Sequence, residues 1–185
     1  DFSYSKTEQL FLQMIRSFAE NEVKPLAAEV DEKEMFPYET VKKMAKLGLM
    51  GIPVPKQYGG AGGTVQMYIM AVEELSRVCA TTGVILSAHT SLCMSPIMEH
   101  GTEEQKMKYL PKLASGEWLG AFGLTEPNAG TDAAMQQTTA VDAGDKWILN
   151  GTKIFITNAS AADVFVVMAM TDKSKGNKGI SAFIV

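Results

Sequence analysis

This chain of 185 residues is poor in the groups that carry much protein chemistry. It has only two cysteines and two histidines. Cys79 and Cys93 fit neither a metal spacing nor a disulfide framework. Both sit in apolar helical stretches and read as reduced core thiols, a usage that suits an intracellular compartment. His89 and His100 stand eleven residues apart with no carboxylate or cysteine at ligand spacing, which argues against a metal site. His89 reads as a core histidine, with pocket lining as the alternative. Cationic excess is missing too. The 17 Lys and Arg against 21 Asp and Glu leave a net charge of −4, and no basic patch dominates, so nucleic acid is excluded as a partner. No window approaches the roughly 18 uninterrupted apolar residues of a membrane span. Gly59 to Gly63 lacks the Gly-Lys-Ser/Thr of a phosphate loop, no G-x-G-x-x-G follows a strand, and there is no G-x-S-x-G elbow. The opening Asp1-Phe2-Ser3-Tyr4 carries no signal peptide and no initiator Met, so a trimmed start is expected.

What is present is ordinary globular composition, 46% hydrophobic and 21% charged, at a length that suits one domain or two small ones. The pattern changes near Gly116. Before it, apolar residues recur at helical spacing. Ser5 and Glu8 have capping-box spacing ahead of the stripe Leu10, Phe11, Met14, Ile15 and Phe18, and Pro25 ends or kinks that helix. Pro37 marks the first residue of a second helix that stops at Gly48. Residues 51–63 read as a Gly- and Pro-rich loop, 64–78 as a helix, and 83–98 as a central buried helix. Thr102 to Gln105 opens a last helix that meets Pro111 and stops by Gly116. Beyond it, strands are predicted over 119–124, 138–141, 147–149, 164–170 and 180–185. Asn150-Gly151 predicts a hairpin into a further strand over 153–157. The apolar run Ser181 to Val185 has no polar tail, and because natural domains avoid such an exposed edge, the β domain is expected to continue beyond it.

Two segments stand out. In Ala121 to Asp132 an apolar strand runs into a turn containing Gly and Pro and lined with hydroxyls and carboxylates. Such a turn presents backbone N–H groups and Thr hydroxyls to the polar edge of a planar ligand. It also reads as a tight turn closed by an Asx-type bond from Asp132. In Lys153 to Asn158, alternation puts Phe155 and Thr157 on one strand face, suited to a ring with hydrogen-bonding nitrogens or to a cross-strand core pair.

The stretch Phe122 to Asp132 resembles the signature of the acyl-CoA dehydrogenases, and Phe155-Ile156-Thr157 resembles that family's second flavin motif. Gly51-Ile52-Pro53, Tyr58-Gly59-Gly60, Glu73-Glu74-Leu75-Ser76-Arg77 and Gly101 to Lys106 are similar to further family landmarks. The similarity covers essentially the whole chain and is greatest to the bacterial short-chain, butyryl-CoA members. It implies an α+β multidomain protein: an N-terminal all-helical domain (1–117), an antiparallel β-barrel-like middle domain, truncated here (118–185), and a C-terminal helical bundle absent from this chain.

The implied activity is FAD-dependent α,β-dehydrogenation of short-chain acyl-CoA, butyryl-CoA to crotonyl-CoA or the reverse. The electrons pass to an electron-transferring flavoprotein, and the full-length enzyme is a homotetramer of the bacterial cytoplasm, or of the mitochondrial matrix if eukaryotic. The resemblance puts the catalytic glutamate in the bundle, so no Glu of this span is assigned that role and the span alone is expected to be inactive. Glu126 belongs to the flavin loop. Phe122, Leu124 and Thr125 are implied to hold the flavin edge. Gly130 allows close backbone approach, and Thr131 bonds the FAD phosphates or the CoA arm. Phe155 packs on the flavin beside Ile156, and Thr157 bonds near its N5. The apolar helix around Ser87 to Met98 borders the acyl tail. Met135 stands where many members have a small residue, and either narrows a channel or points into the core. An acyl-CoA oxidase-like relative is the alternative enzyme, distinguished by fast reaction of its reduced flavin with oxygen. A non-catalytic flavin- or CoA-binding module is the alternative outside enzymes.

Overall fold

The computed structural model describes residues 3–185; Asp1 and Phe2, part of the segment read as leaderless, lie outside them. Helix α1 (Lys6–Phe18) starts at a complete capping box, with Ser5 Oγ accepting the Glu8 N–H and Glu8 Oε2 accepting the Ser5 N–H. A π-helical turn, Ala19–Val23, leads into α2 (Lys24–Glu32). Pro25 lies in the first turn of α2, where its missing N–H is tolerated, so it does not end the helical run, which passes through the π-helical turn just before it. Helix α3 (Tyr38–Lys46) follows Pro37, which takes the cap position instead of the first helical one, and closes on Gly48 at φ 72°. Thr64 caps α4 (Val65–Val78). The run expected as one buried helix is α5 (Ala80–Ser87), a π-helical stretch Ala88–Met94, and α6 (Ser95–His100), with Val84 and Leu92 left exposed. Helix α7 (Glu103–Ser115) opens on the Thr102–Gln105 capping box, carries Pro111 inside, and ends on Gly116 at φ 74°. Glycine takes that left-handed cap without a Cβ penalty.

One hydrophobic core joins α1, α4 and α5 through Ile15, Phe18, Leu75 and Leu86, with Met50 of the turn after α3 and Leu119. Each such buried side chain contributes about 1.5–3 kcal/mol. A second core packs Cys93, Met94, Leu110 and Leu113 of the helices on Val164 and Val166 of the sheet.

The sheet has strands β1 (Gly120–Gly123), β2 (Thr139–Asp142), β3 (Trp147–Asn150), β4 (Val164–Met170) and β5 (Ile180–Ile184). A helical part followed by a sheet part is the expected architecture, but the pairing within the sheet is mixed and not wholly antiparallel. β1 runs parallel to β4, and β2 meets β4 in parallel at Thr139 and Met170. β2–β3 and β4–β5 are antiparallel. The reason is connection length. The long excursion 124–163 between β1 and β4 lets the chain return in the same direction, whereas the short turns join antiparallel neighbours.

A second correction concerns 153–157, which forms no strand. The hairpin here is β2–β3, turned through Asp142 to Asp145 with Gly144 at φ 91°. A two-residue type I′ turn needs left-handed backbone at both central residues, and neither Asn150 nor Gly151 adopts it. The segment is instead drawn inward by the buried side chains of Lys153 and Asn158.

Helices and sheet meet at a tight seam. A Cβ on Gly120 would lie 2.6 Å from Cys93 Sγ, so only glycine fits there. The Gly120 N–H donates to His89 Nδ1 (2.9 Å), and His89 Nε2 donates to the Leu113 carbonyl (3.1 Å), which fixes the tautomer. Asn158 Nδ2 donates to the carbonyls of Ile85 (3.2 Å) and Gly120 (3.1 Å). Burial pushes His89 down to about 4 and the Cys93 thiol up to about 12, so both are neutral fillers of the seam. The core reading of both residues holds, and Cys79 is likewise buried and free.

Candidate functional site

At Gly123 the chain leaves β1 for a turn that Glu126 and Ala129 close by reciprocal backbone bonds of 3.1 Å. Residues 153–157 pass alongside, with the Ile154 N–H on the Thr125 carbonyl (2.9 Å). Between the two segments and the π-helical stretch lies a cleft of about 210 Å³. It is lined by Phe122, Leu124, Thr125, Phe155, Ile156, Thr157, Ala88 and Leu92. Six of the eight sequence-predicted site residues therefore line one cleft, and they do so although 153–157 is not a strand. Gly130 and Thr131 do not line it. They lie farther along the turn, exposed, with open space around Gly130. Asp132 Oδ1 accepts the Ala134 N–H (3.2 Å), the Asx-type bond anticipated. Met135 is 61% exposed, so it does not point into the core.

The cleft is built for a flat ligand with a polar edge. Phe155 is 89% exposed and sits at φ 55°. Left-handed backbone costs a residue with a Cβ roughly 1–2 kcal/mol, and an aromatic so exposed recovers little of that from its own packing. Such an outlier belongs where a bound group completes the contact. The half-buried hydroxyls of Thr125 and Thr157 make no hydrogen bond among the described residues. Leu92 and Ala88 supply an apolar wall. An aromatic face, two hydroxyls without partners among the described residues and an apolar flank fit a flavin ring. Among the described residues no carboxylate, histidine or lysine lines the cleft, so they offer a bound group position and hydrogen bonds but no carboxylate or imidazole base.

Behind the cleft is an ion cluster that sequence reasoning missed. The Glu126 carboxylate, 6% exposed, accepts the N–H groups of Gln137 (2.6 Å) and Thr138 (3.0 Å) and the Lys153 ammonium (2.8 Å). Burial pushes this carboxyl up, but the Gln137 N–H, Lys153 and Thr138 outweigh it and hold it at about 2. Lys153 Nζ also donates to the Leu124 carbonyl (2.9 Å) and Gln136 Oε1 (3.2 Å). The partners lie up to 29 residues apart along the chain, and no local spacing announces them. Among the described residues no group of three or more His, Cys, Asp or Glu could hold a metal ion, and no helix is long and apolar enough to cross a membrane.

Comparison with known proteins matches residues 5–117 to the acyl-CoA dehydrogenase N-terminal domain and residues 121–185 to the acyl-CoA dehydrogenase middle domain. The chain is 67% identical to a short-chain-specific acyl-CoA dehydrogenase of Clostridium acetobutylicum over all 185 residues, which cover 49% of that protein. Its fold is similar to a structure described as the electron transferring flavoprotein of Acidaminococcus fermentans, from work on flavin-based electron bifurcation. There the TM-score is 0.97 at 54% identity, over 100% of this chain and 49% of that one. It is also similar to the butyryl-CoA dehydrogenase of Megasphaera elsdenii, with a TM-score of 0.95 at 49% identity over the same shares. The chain thus spans about half the length of the curated relatives it matches.

Proposed function

The chain belongs to the acyl-CoA dehydrogenase family, FAD-dependent oxidoreductases acting on CH–CH bonds, and from this premise we propose that the protein interconverts short-chain acyl-CoA and 2-enoyl-CoA, with butyryl-CoA as the test substrate, and exchanges electrons with an electron-transferring flavoprotein. The observation that carries the proposal is the cleft, where two distant segments bring Phe122, Leu124, Thr125, Phe155, Ile156 and Thr157 together around two hydroxyls without partners among the described residues. The short-chain and butyryl-CoA relatives support the substrate class, and the electron-transferring-flavoprotein structure supports the partner.

In this reading the bound flavin supplies a two-electron acceptor for the hydride that leaves the β-carbon. The chain's own residues bind and orient. Phe155 covers a ring face. The hydroxyls of Thr125 and Thr157 would hold the polar edge of the ring, Thr157 on the side where the hydride would arrive. Leu92 and Ala88 would pack against that flank, and a bound ring covering the exposed Leu92 would exclude water there. Gly130 and Thr131, exposed beyond the cleft, serve the phosphate or CoA end. The carboxylate that removes the α-proton comes from outside this span, so residues 1–185 alone turn over little or no butyryl-CoA. We further take residues 1–117 and 118–185 as the two domains, and the full-length enzyme as a homotetramer, cytoplasmic in a bacterium or of the mitochondrial matrix in a eukaryote.

The test is an anaerobic absorbance titration of the full-length protein with butyryl-CoA. Flavin bands that bleach support the reading. Bound flavin that stays oxidised overturns the substrate assignment, and a protein that takes up no FAD overturns the whole.

A further inference from the structure

We propose that Lys153 is a positioning residue for the cleft, a buried cation that sets the direction of the Leu124–Thr125 peptide and couples the two walls. The proposal rests on the reading of the cleft as the flavin site.

Lys153 does not line the cleft. Its side chain is 12% exposed, and its three ammonium protons have three acceptors: Glu126 Oε1, Gln136 Oε1 and the Leu124 carbonyl. Neutralising Glu126 needs only the first of these, since two backbone N–H groups already serve that carboxylate. The bond to Leu124 does something else. A trans peptide unit carries its C=O and N–H in opposite directions. Pulling the Leu124 carbonyl toward Lys153 therefore aims the Thr125 N–H the other way, and that N–H donates to no described residue. The next residue, Ile154, fixes the following peptide by donating to the Thr125 carbonyl. Consecutive residues 153 and 154 thus grip consecutive carbonyls 124 and 125, and Thr125 is clamped from both sides. The same two residues lead directly into Phe155, Ile156 and Thr157, the opposite wall. One buried cation thereby fixes a backbone donor on one wall and the entry to the other.

The test uses the full-length protein and three variants: Lys153→Met, Glu126→Gln, and the double variant. Two quantities are read, the dissociation constant for FAD from recovery of flavin fluorescence and the thermal midpoint of the apoprotein. The single Lys153→Met change strands a buried carboxylate, so a fall in its midpoint is expected. The double variant removes both charges and is the deciding one. Its apoprotein should melt close to wild type, while its FAD affinity falls about tenfold or more, by analogy with the loss when a residue that orients metal ligands is removed. Glu126→Gln alone keeps the ammonium on the Leu124 carbonyl and should bind FAD within a fewfold of wild type. A folded double variant with wild-type FAD affinity overturns the proposal, because Lys153 is then only the counter-ion of Glu126. A double variant that fails to fold also overturns it, because Lys153 is then a strut of the fold. A wild type that takes up no FAD would sink the reading of the cleft itself, an outcome visible before any variant is made.

Discussion

The molecule joins distant segments at two buried polar centres, and it does so with opposite electrostatics. At the helix–sheet seam, His89 sits between the Gly120 N–H and the Leu113 carbonyl, both uncharged, and burial keeps it neutral. Behind the cleft, Glu126 is nearly as inaccessible, yet it stays ionised because two N–H groups and an ammonium converge on it. Burial alone does not decide the protonation state. The number and sign of the donors do. The neutral centre lies within packed core, and the charged one lies where the backbone must be held without regular structure.

The contrast can be broken most forcefully at the charged centre. Glu126→Ala leaves the Lys153 ammonium buried without its counter-ion, and a stability loss of about 3–5 kcal/mol is expected. Denaturant midpoints on the full-length apoprotein check this, and a loss below about 1 kcal/mol would mean the pair is not desolvated.

Acid sharpens the comparison, since both centres weaken as pH falls but over different windows. The unfolded chain protonates His89 near 6.5 and the folded one near 4, so stability declines as pH drops from about 6.5 to 4, by about 3 kcal/mol in all. Glu126 is ionised down to about 2 when folded and to about 4.5 when unfolded. Its contribution is present above 4.5 and is lost as pH falls from there through 2. Urea midpoints against pH should therefore fall in two successive stages. A His89→Gln variant should lack the first stage, and a profile unchanged by that substitution would falsify the assignment.

Smaller effects belong to the ends of the 153–158 segment. Asn158→Ala removes donors from the buried Ile85 and Gly120 carbonyls and should cost about 2 kcal/mol. Phe155→Gly, on a side chain almost wholly in solvent, should change apoprotein stability by less than about 1 kcal/mol while weakening FAD binding. If instead it destabilises the apoprotein strongly, Phe155 packs on protein and not on a ligand.

The helical half was legible because its signals are local. Both capping boxes, the Thr64 start and the Gly48 and Gly116 ends lie within a turn of what they control. The strands were legible as β-branched runs, but their partners were not, because parallel pairing of β1 with β4 spans the whole excursion 124–163. Asn150-Gly151 misled for the same reason: a turn propensity was overruled by Lys153 and Asn158, whose bonds reach far along the chain. The cleft residues were found through motif resemblance, whereas alternation, which placed Phe155 and Thr157 together as strand neighbours, gave the right company for the wrong geometry. The Glu126–Lys153 pair left no trace in spacing at all.

The parallel partnership of β1 and β4 also bears on the order of assembly. As the chain emerges from the ribosome, β1 is complete some forty residues before β4 exists to pair with it. Its first lasting companions are the already synthesised helices, through Gly120 on His89 and against Cys93. The β2–β3 hairpin can close on its own short turn in microseconds. β4 must then enter between β1 and β2, and closing the long 124–163 excursion carries the largest chain-entropy cost of joining the sheet. The helical half acts in this way as the template on which the sheet is seeded.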